Sequence, residues 1–345
     1  MIKIQSITDP SWLEFIAKQE NATIFHHPAW AEMLAECYGY QPFVLISLDE
    51  EGKVNGGIPL MDVNSKLTGR RWISLPFSDY CTPLSSTPAV LESLVGYMIT
   101  QYKQKAIPRV EIHSLITSRS DVYQDNRYVM HTIKLLNDPD SVMKTFDKTR
   151  VRESIKKGVK RGVEIRWGTN KSDIFTFYEM LVDTRRRLGS PVQPKRFFDL
   201  LWDRIINKGL GFLLLAYSDG KPIGGVVYLH YKGILTGKYG ASMPEYWTLR
   251  ANHLLIWSGI KWGCEQGFTT FDFGRTDSSN QNLCDYKNGW GTVEEPLIYS
   301  TIADNKPGPK EGTGGRMQQL MAGVVQHSPA WVCRMIGELL YGHFA

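Results

Sequence analysis

The chain has 345 residues, of which 42% are hydrophobic and 22% are charged, a composition ordinary for a globular protein that can hold two domains. Its net charge of +5 slightly favours anionic partners, and its five widely spaced cysteines, with no Cys-x-x-Cys pair, indicate neither a disulfide framework nor a zinc site. The sequence shows no signal peptide and no apolar run of about 20 residues, so we expect a soluble, cytoplasmic protein.

The first half of the sequence predicts an α+β domain. Apolar residues recur at helical spacing in some stretches and alternate in others, as amphipathic helices and half-buried strands require. The predicted elements are helices over 11–40 and 91–105, a hairpin over 43–63, and strands at 72–75 and 109–115.

The second half repeats this order of elements. The hairpin turn G-K-x-x-G-G at residues 52–57 recurs at 220–225, 168 residues later, which indicates a duplicated domain. Each half therefore predicts a mixed sheet flanked by helices. The further predicted elements are helices over 174–188, 196–208 and 249–266, a hairpin over 211–229, and strands at 235–240 and 268–274.

One polar stretch follows the last predicted strand. Phe271 and Phe273 alternate with Asp272 and Gly274, as expected for a strand with one apolar face. A polar loop is predicted over 275–282, and the stretch closes on D-Y-K-N-G-W-G at 285–291. A strand that opens into a polar, glycine-containing loop is a frequent location for catalytic residues.

A basic segment connects the two halves. Val151, Ile155 and Val159 recur every four residues, which predicts a helix with one apolar stripe. A parallel basic stripe is predicted on the same helix, which Asp147 or Thr149 would cap at its start and Gly162 at its end. Such a helix would bind a diphosphate, a nucleotide or an RNA backbone, or it would simply present a solvated face. The stripe consists of Arg152, Lys156 and Lys160.

Three stretches together resemble the FemAB-related group, the Fem peptidyltransferases and their exopolysaccharide-associated relatives. They are V-R-E-S-I-K-K-G-V-K-R-G-V at 151–163, R-R-R-L-G-S-P-V-Q-P-K-R-F-F at 185–198, and F-D-F-G-R-T-D-S-S-N-Q-N-L-C-D-Y-K-N-G-W-G at 271–291. The early F-H-H-P-A-W at 25–30 is similar to the start of the family, so the resemblance covers roughly residues 10–303.

The resemblance implies an α+β fold of two tandem GNAT-like (acyl-CoA N-acyltransferase-like) domains, each a mixed sheet flanked by helices. We expect the first domain at 1–145, the second at 146–303 with the basic helix at its start, and a linker with C-terminal helices at 304–345. Members of the family transfer an aminoacyl group from charged tRNA to a peptide amine of a peptidoglycan precursor, or act in polysaccharide export. The expected partners are therefore aminoacyl-tRNA or another acyl donor, and a lipid-linked or nucleotide-linked glycan precursor.

The resemblance also places Tyr286 and Lys287 at the reaction centre. Lys287 would stabilise the oxyanion that forms during aminolysis, and Arg275 could clamp a carboxylate or phosphate. Asp277 is a candidate base, although a carboxylate of ordinary pKa is a weak one, so we expect proton transfer through substrate or water. The expected substrate-binding residues are Asp79, Tyr80, Arg152, Lys156, Lys160, Asn280 and Trp290.

Several alternatives stay open at this point. Cys284 is a rival nucleophile, but no histidine accompanies it in the motif, so we expect a bystander thiol. A CoA- or carrier-dependent acyltransferase that modifies an amino sugar is a second possibility, although neither half shows the glycine-rich loop that would hold the pyrophosphate of CoA. A non-catalytic glycan- or RNA-binding module is a third. No metal and no cofactor is expected.

The C-terminal residues predict a linker and two short helices. Residues 306–315 are rich in glycine and proline, and 316–345 read as two amphipathic helices. Their apolar faces would either rest on the inner surface of the membrane or dock against the protein itself.

Overall fold

The computed structural model of the chain describes residues 1–116, 119–304 and 316–343. Over these residues the chain forms two compact units. Unit 1 comprises Met1–Val129, Pro296–Gly312 and Gly342–Ala345, and unit 2 comprises Met130–Glu295 and Thr313–Tyr341. The predicted linker at 306–315 lies outside the described residues.

In its described residues, unit 1 has strands of both directions and three helices. Each helix begins at a proline whose predecessor caps it, because proline fits the first turn and a side chain there accepts from a backbone N–H. The helices are α1 Pro10–Lys18, α2 Pro28–Tyr38 and α3 Pro88–Lys103. The strands are β1 Ile2–Gln5, β2 Gln41–Leu48, β3 Val54–Ser65, β4 Gly69–Ile73, β5 Leu84–Ser85, β6 Val110–Ile112 and parts of β7 Val122–Lys134 and β13 Val293–Ile302. Within unit 1, β1–β2–β3–β4–β6–β13 are successive neighbours and β5 pairs with β3.

Unit 2 contains further strands, paired both parallel and antiparallel, and the remaining helices of the described chain. Its strands lie in the order β7–β12–β11–β10–β9–β8, with β11 and β12 parallel. The strands are β8 Glu164–Trp167, β9 Gly211–Ser218, β10 Lys221–Tyr231, β11 Ile234–Ser242 and β12 Thr270–Asp277. The helices are α4 Pro139–Lys144, α5 Glu153–Lys160, α6 Lys171–Arg187, α7 Lys195–Arg204, α8 Ala251–Glu265, α9 Gln281–Asn288, α10 Arg316–His327 and α11 Ala330–Leu340.

The two hairpins carry the same irregularity at the repeated turn. In unit 1 the β2–β3 register skips Asn55, and in unit 2 the β9–β10 register skips Ile223, so each hairpin has a β-bulge. These positions are 168 residues apart, the same offset as the G-K-x-x-G-G motif. The third glycine is required by close packing: an added Cβ would lie 2.8 Å from the Trp12 ring at Gly57 and 2.9 Å from the Phe177 ring at Gly225.

The core of unit 2 gathers aromatic rings around the end of the polar stretch. Trp290 is completely buried, and its ring centroid lies 5.2 Å from Phe146 and 5.8 Å from His253. Phe271 from β12 is also fully buried in this cluster. The segment that carries the predicted reaction centre is therefore anchored at both ends in the core of its unit.

The C-terminal helices form as predicted, and α11 packs against the rest of unit 2. Cys333 is buried, and Gly337 lies so close to Val192 that an added Cβ would clash with its carbonyl oxygen. The carboxylate of Glu338 accepts from the backbone N–H of Lys195 at 2.8 Å. Among the described residues, no helix is long and apolar enough to cross a membrane.

Candidate active site

A turn of the backbone near the end of β12 positions the carbonyl groups that hold the Lys287 side chain. The parallel pairing of β11 with β12 runs as far as Asp272. The Asp272 carboxylate accepts from the Gly274 N–H at 2.7 Å, and Gly274 has a φ of +72°, in the left-handed region that favours glycine. This turn brings two successive carbonyl oxygens, those of Phe273 and Gly274, to the same ammonium group.

Lys287 is held in place by those carbonyls. Its Nζ donates to the Phe273 carbonyl oxygen at 2.9 Å and to the Gly274 carbonyl oxygen at 2.7 Å. The side chain is only 5% exposed, which is rare for a lysine and requires such partners. The result is a positive charge with a fixed position, and a fixed charge stabilises a developing anion without reorganisation.

Tyr286 packs beside the same helix turn. Its ring lies 5.5 Å from His253 in an edge-to-face arrangement and 6.3 Å from Trp290. Burial raises the pKa of the Tyr286 phenol to about 12, with an opposing contribution from the Trp290 side chain. The phenol therefore keeps its proton at neutral pH and can donate a hydrogen bond.

The polar stretch is more ordered than the sequence predicts. Residues 275–282 were expected to form a loop, but β12 continues to Asp277 and α9 begins at Gln281. The prediction of a long loop is wrong because two short polar side chains organise the turn. Asp277 accepts from the N–H and hydroxyl of Ser279 at 2.9 and 2.6 Å, and Asn280 caps α9 by accepting from the Leu283 N–H.

Arg275 and Trp290 lie in opposite environments. Arg275 is exposed near the end of β12. Burial raises the pKa of the Tyr341 phenol, which follows α11, and the positive charge of Arg275 partly offsets that increase. Trp290, predicted as a substrate-binding residue, is wholly inside the core, so in this structure it packs against Tyr286 and is not exposed to a ligand.

Asp79 and Tyr80 lie in a loop of unit 1. The loop follows Leu75 and Phe77, whose φ angles of 54° and 61° are uncommon for residues with bulky side chains and cost conformational energy. The Asp79 carbonyl oxygen accepts from the Tyr299 hydroxyl, and the Tyr80 ring lies 5.9 Å from Phe25. Both side chains are partly exposed.

The basic segment forms a turn of π-helix, Lys148–Arg152, followed by α5. Asp147 caps it, and Gly162 follows its end, as predicted. The predicted apolar stripe is wrong at its third position: Val159 is 62% exposed. The neighbouring Gly158 is buried in its place, and a Cβ added there would be in ordinary van der Waals contact, at 3.5 Å, with the Arg250 carbonyl oxygen and the Leu254 Cβ near the start of α8.

The basic side chains of this helix differ in exposure and in their hydrogen-bond partners. Lys156 and Lys160 are exposed, and Lys156 pairs with Glu153 at 3.0 Å. Arg152 is partly buried, and its Nε has no hydrogen-bond partner among the described residues. At its start the helix meets the polar stretch, since the Asp147 N–H donates to the Gly289 carbonyl oxygen at 2.8 Å. The structure thus joins two motifs that the sequence showed separately.

The structure brings two further residues to Cys284 that the sequence did not predict. His131 on β7 and Glu294 on β13 place ligand atoms within 4.8 Å of each other and of the Cys284 thiol. Cys284 thus has a histidine neighbour in the structure, although the motif itself contains none. No local signal could have revealed this histidine, because it lies about 150 residues earlier in the chain.

The protonation states at this cluster follow from burial. Burial raises the pKa of the Cys284 thiol, Glu294 raises it further, and the charge of Lys287 opposes both. Burial and the charge of Lys287 lower the pKa of His131, against an opposite contribution from Glu294. At neutral pH the site therefore contains a thiol and a neutral imidazole.

Comparison with known proteins adds a domain match and several structural likenesses. Residues 147–288 match the family model described as the acetyltransferase (GNAT) domain. No curated protein sequence matches the chain. Among solved structures, FemX is similar with a TM-score of 0.69 and 17% identity, over 93% of this chain and 100% of FemX.

Two other solved structures share the fold at lower similarity. L-PGS from Bacillus licheniformis has a TM-score of 0.56 and 13% identity, over 94% of this chain and 100% of that chain. A tandem GNAT protein from the clavulanic acid biosynthesis pathway has a TM-score of 0.54 and 9% identity, over 89% and 100%. At these identities the likenesses show the fold alone.

The fold and the matched domain define the class: this chain is an acyltransferase of the GNAT fold, as predicted from the sequence. The likeness to FemX and the matched GNAT domain are consistent with the resemblance to the FemAB-related group carried by the three motifs.

Proposed function

We propose that the protein is an N-acyl or aminoacyl transferase that forms an amide on an acceptor amine of a cell-envelope precursor, a peptidoglycan or polysaccharide intermediate. The observation that carries this proposal is the buried ammonium of Lys287, which two backbone carbonyls hold inside the segment that matches an acetyltransferase domain. The resemblance to the FemAB-related group supports the choice of acceptor.

In the proposed reaction a neutral acceptor amine attacks the carbonyl carbon of the acyl donor. A C–N bond forms, the C–O or C–S bond to the donor breaks, and the negative charge that develops on the carbonyl oxygen is stabilised by Lys287. Tyr286, which keeps its proton at neutral pH, donates a hydrogen bond to the same oxygen or to the leaving group. The amine loses its proton through substrate or water.

The remaining predicted residues support binding in this proposal. Arg275 is exposed and offers a planar fork for a carboxylate or phosphate. Asp277 and Asn280 fix the turn before α9, so they position Lys287 through the backbone. Lys156 and Lys160 on α5, with Arg152, supply positive charge for a diphosphate. Asp79 and Tyr80 are the substrate-binding residues proposed for unit 1.

The acyl donor is proposed to be aminoacyl-tRNA, with an acyl-CoA or carrier-bound donor as the second candidate. The second candidate is favoured by the match to a family model of acetyltransferases. One observation disfavours acyl-CoA as the donor, because α5 packs against the start of α8. A Cβ added to Gly158 of α5 would lie 3.5 Å from both the Arg250 carbonyl oxygen and the Leu254 Cβ. A helix start covered in this way is less accessible to a pyrophosphate group.

A donor and acceptor panel tests the proposed function. Purified protein is incubated with labelled aminoacyl-tRNA or acyl-CoA and with lipid-linked or nucleotide-linked glycan precursors, and labelled amide product is measured. We expect transfer from aminoacyl-tRNA. Transfer from acyl-CoA alone would replace the preferred donor by the second candidate, and saturable binding of a precursor without turnover on any donor would identify a binding module instead.

A further inference from the structure

Three side chains from separate segments of unit 2 converge on one point. His131 comes from β7, Cys284 from α9 and Glu294 from β13, and one ligand atom of each lies within 4.8 Å of the others. His131 Nε2 and Glu294 Oε2 are 3.0 Å apart. An imidazole, a thiol and a carboxylate are the three side-chain types that bind zinc in proteins.

The buried histidine lacks a complete set of partners. His131 is completely buried, and within the described part of the chain its Nδ1 has no hydrogen-bond partner. The other ring nitrogen, Nε2, faces the Glu294 carboxylate at 3.0 Å, so a cation at this point would be bound by the lone pair of Nε2, with the ring proton on Nδ1.

The site is accessible through its carboxylate. The side chain of Glu294 is 42% exposed, whereas His131 and Cys284 are buried, so an ion can enter beside Glu294 and meet the two inner ligands. The amide of Asn288 donates to Glu294 Oε2 at 3.3 Å and orients it, as outer hydrogen bonds do for metal-binding carboxylates.

We propose that His131, Cys284 and Glu294 bind one divalent zinc ion, with a fourth position left for water or another ligand. In a tetrahedral site the ligand atoms stand roughly 3.3–3.8 Å apart, so the side chains need only small rotations to close on the ion. Thiolate together with imidazole favours zinc over magnesium or calcium, which prefer oxygen ligands. This proposal does not depend on the acyl-transfer function.

Metal titration of the purified full-length protein tests the proposal. After treatment with a chelator, the protein is titrated with Zn²⁺ in competition with a chromophoric chelator, and separately with Co²⁺ while the near-ultraviolet thiolate-to-cobalt absorption is recorded. We expect one equivalent of metal to bind with a Kd below about 1 μM, since three protein ligands including a thiolate form the site. The cobalt charge-transfer band should appear with the same stoichiometry.

Variants make the assignment specific. Cys284→Ser should abolish the charge-transfer band and weaken Zn²⁺ binding by at least about 100-fold, because even outer-shell partners of a metal site contribute 10–100-fold. Cys264→Ser, which removes another buried thiol of unit 2, should leave both unchanged. Glu294→Gln changes the exposed ligand and is expected to fold, so it should lose the Zn²⁺-dependent increase in Tm that the wild type shows.

Three results would overturn the proposal. They are the absence of saturable Zn²⁺ binding below about 100 μM, a charge-transfer band that survives in Cys284→Ser, and equal Zn²⁺ affinity in Glu294→Gln and wild type. None of these results bears on the acyltransferase activity, which is measured with the separate donor panel.

Discussion

At the scale of single residues, the chemical roles proposed for the polar stretch depend on backbone geometry. The sequence predicts Lys287 and Tyr286 from their motif, but it cannot show that the carbonyls of Phe273 and Gly274 hold the ammonium. That arrangement requires the left-handed conformation of Gly274, which a strand pattern does not reveal. The roles of the predicted site residues stay predictions until activity is measured.

A buried histidine in unit 1 should make stability depend on pH. His26 accepts from the Thr23 N–H at Nδ1 and contacts the Thr82 carbonyl oxygen through Nε2, and burial lowers its pKa to about 4. Below the ordinary pKa of 6.5 the unfolded chain takes up a proton that the native histidine does not accept until about pH 4. Stability is therefore lost as pH falls through this window, by up to about 3 kcal/mol.

Urea denaturation between pH 8 and pH 4 measures this loss. In His26→Gln the decrease in the free energy of unfolding between pH 6.5 and 4 should be smaller than in wild type, whereas His327→Gln, at an exposed histidine, should follow the wild type. A decrease in His26→Gln equal to that of the wild type would show that His26 titrates normally in the native state.

At the scale of elements, the contact between the end of α4 and the polar stretch should contribute to stability. Gly291 has a φ of +69°, and an added Cβ would lie 2.7 Å from the Thr145 carbonyl oxygen. Gly162 has a nearly equal φ of +73°, but an added Cβ there would meet nothing within 4 Å. Comparing alanine substitutions at Gly162 and Gly291 therefore separates the free-energy cost of a side chain at positive φ from the cost of a steric clash.

We expect Gly162→Ala to lower the free energy of unfolding by about 1 kcal/mol and Gly291→Ala by at least about 2–3 kcal/mol, because the second adds a clash with a rigid backbone atom. Thermal and urea unfolding of both variants measure the difference. Equal destabilisation of the two variants would mean that Gly291 is not closely packed in solution.

The sequence allowed α11 either to dock against the protein or to rest on a membrane surface, and its two faces are suited to one role each. One face of α11 docks on unit 2 through Cys333 and Gly337. The opposite face exposes Trp331, Met335 and Leu339 at four-residue spacing, with exposures of 59%, 48% and 68%. Because such a stripe is the sort of surface that inserts into a membrane interface, we keep the predicted peripheral membrane contact as a proposal.

Vesicle binding tests that contact. Wild-type protein should cosediment with vesicles that contain phosphatidylglycerol, and replacing the three stripe residues by serine should weaken binding at least about tenfold through lost apolar burial. Val159→Ser removes an exposed apolar residue from α5 and serves as the control. Equal binding of the triple variant and the wild type would rule out α11 as the contact.

At the scale of the whole molecule, the sequence predicts the repeated elements well and the long-range pairing poorly. The G-K-x-x-G-G turns predict both hairpins, and the structure adds that each bears a bulge at the same place. The strands β7 and β13 were not predicted, because their residues alternate weakly and their partners are far along the chain. The cluster of His131, Cys284 and Glu294 was missed for the same reason.

The limits expected for the domains, 1–145, 146–303 and 304–345, stay predictions. The two tandem GNAT-like domains themselves are confirmed. What the sequence cannot supply is the position of side chains that come from β7, α9 and β13, since their proximity depends on strand pairing and not on any local pattern.

The most direct test of the account is the turnover of Lys287 variants. With a donor and acceptor that support transfer, Lys287→Ala should lower kcat by about 100- to 1,000-fold with a small change in KM, as the loss of one oxyanion-stabilising group does. Lys261→Ala, at an exposed lysine of the same unit, should retain wild-type turnover. Unchanged kcat in a folded Lys287→Ala variant would contradict the central assignment of the site.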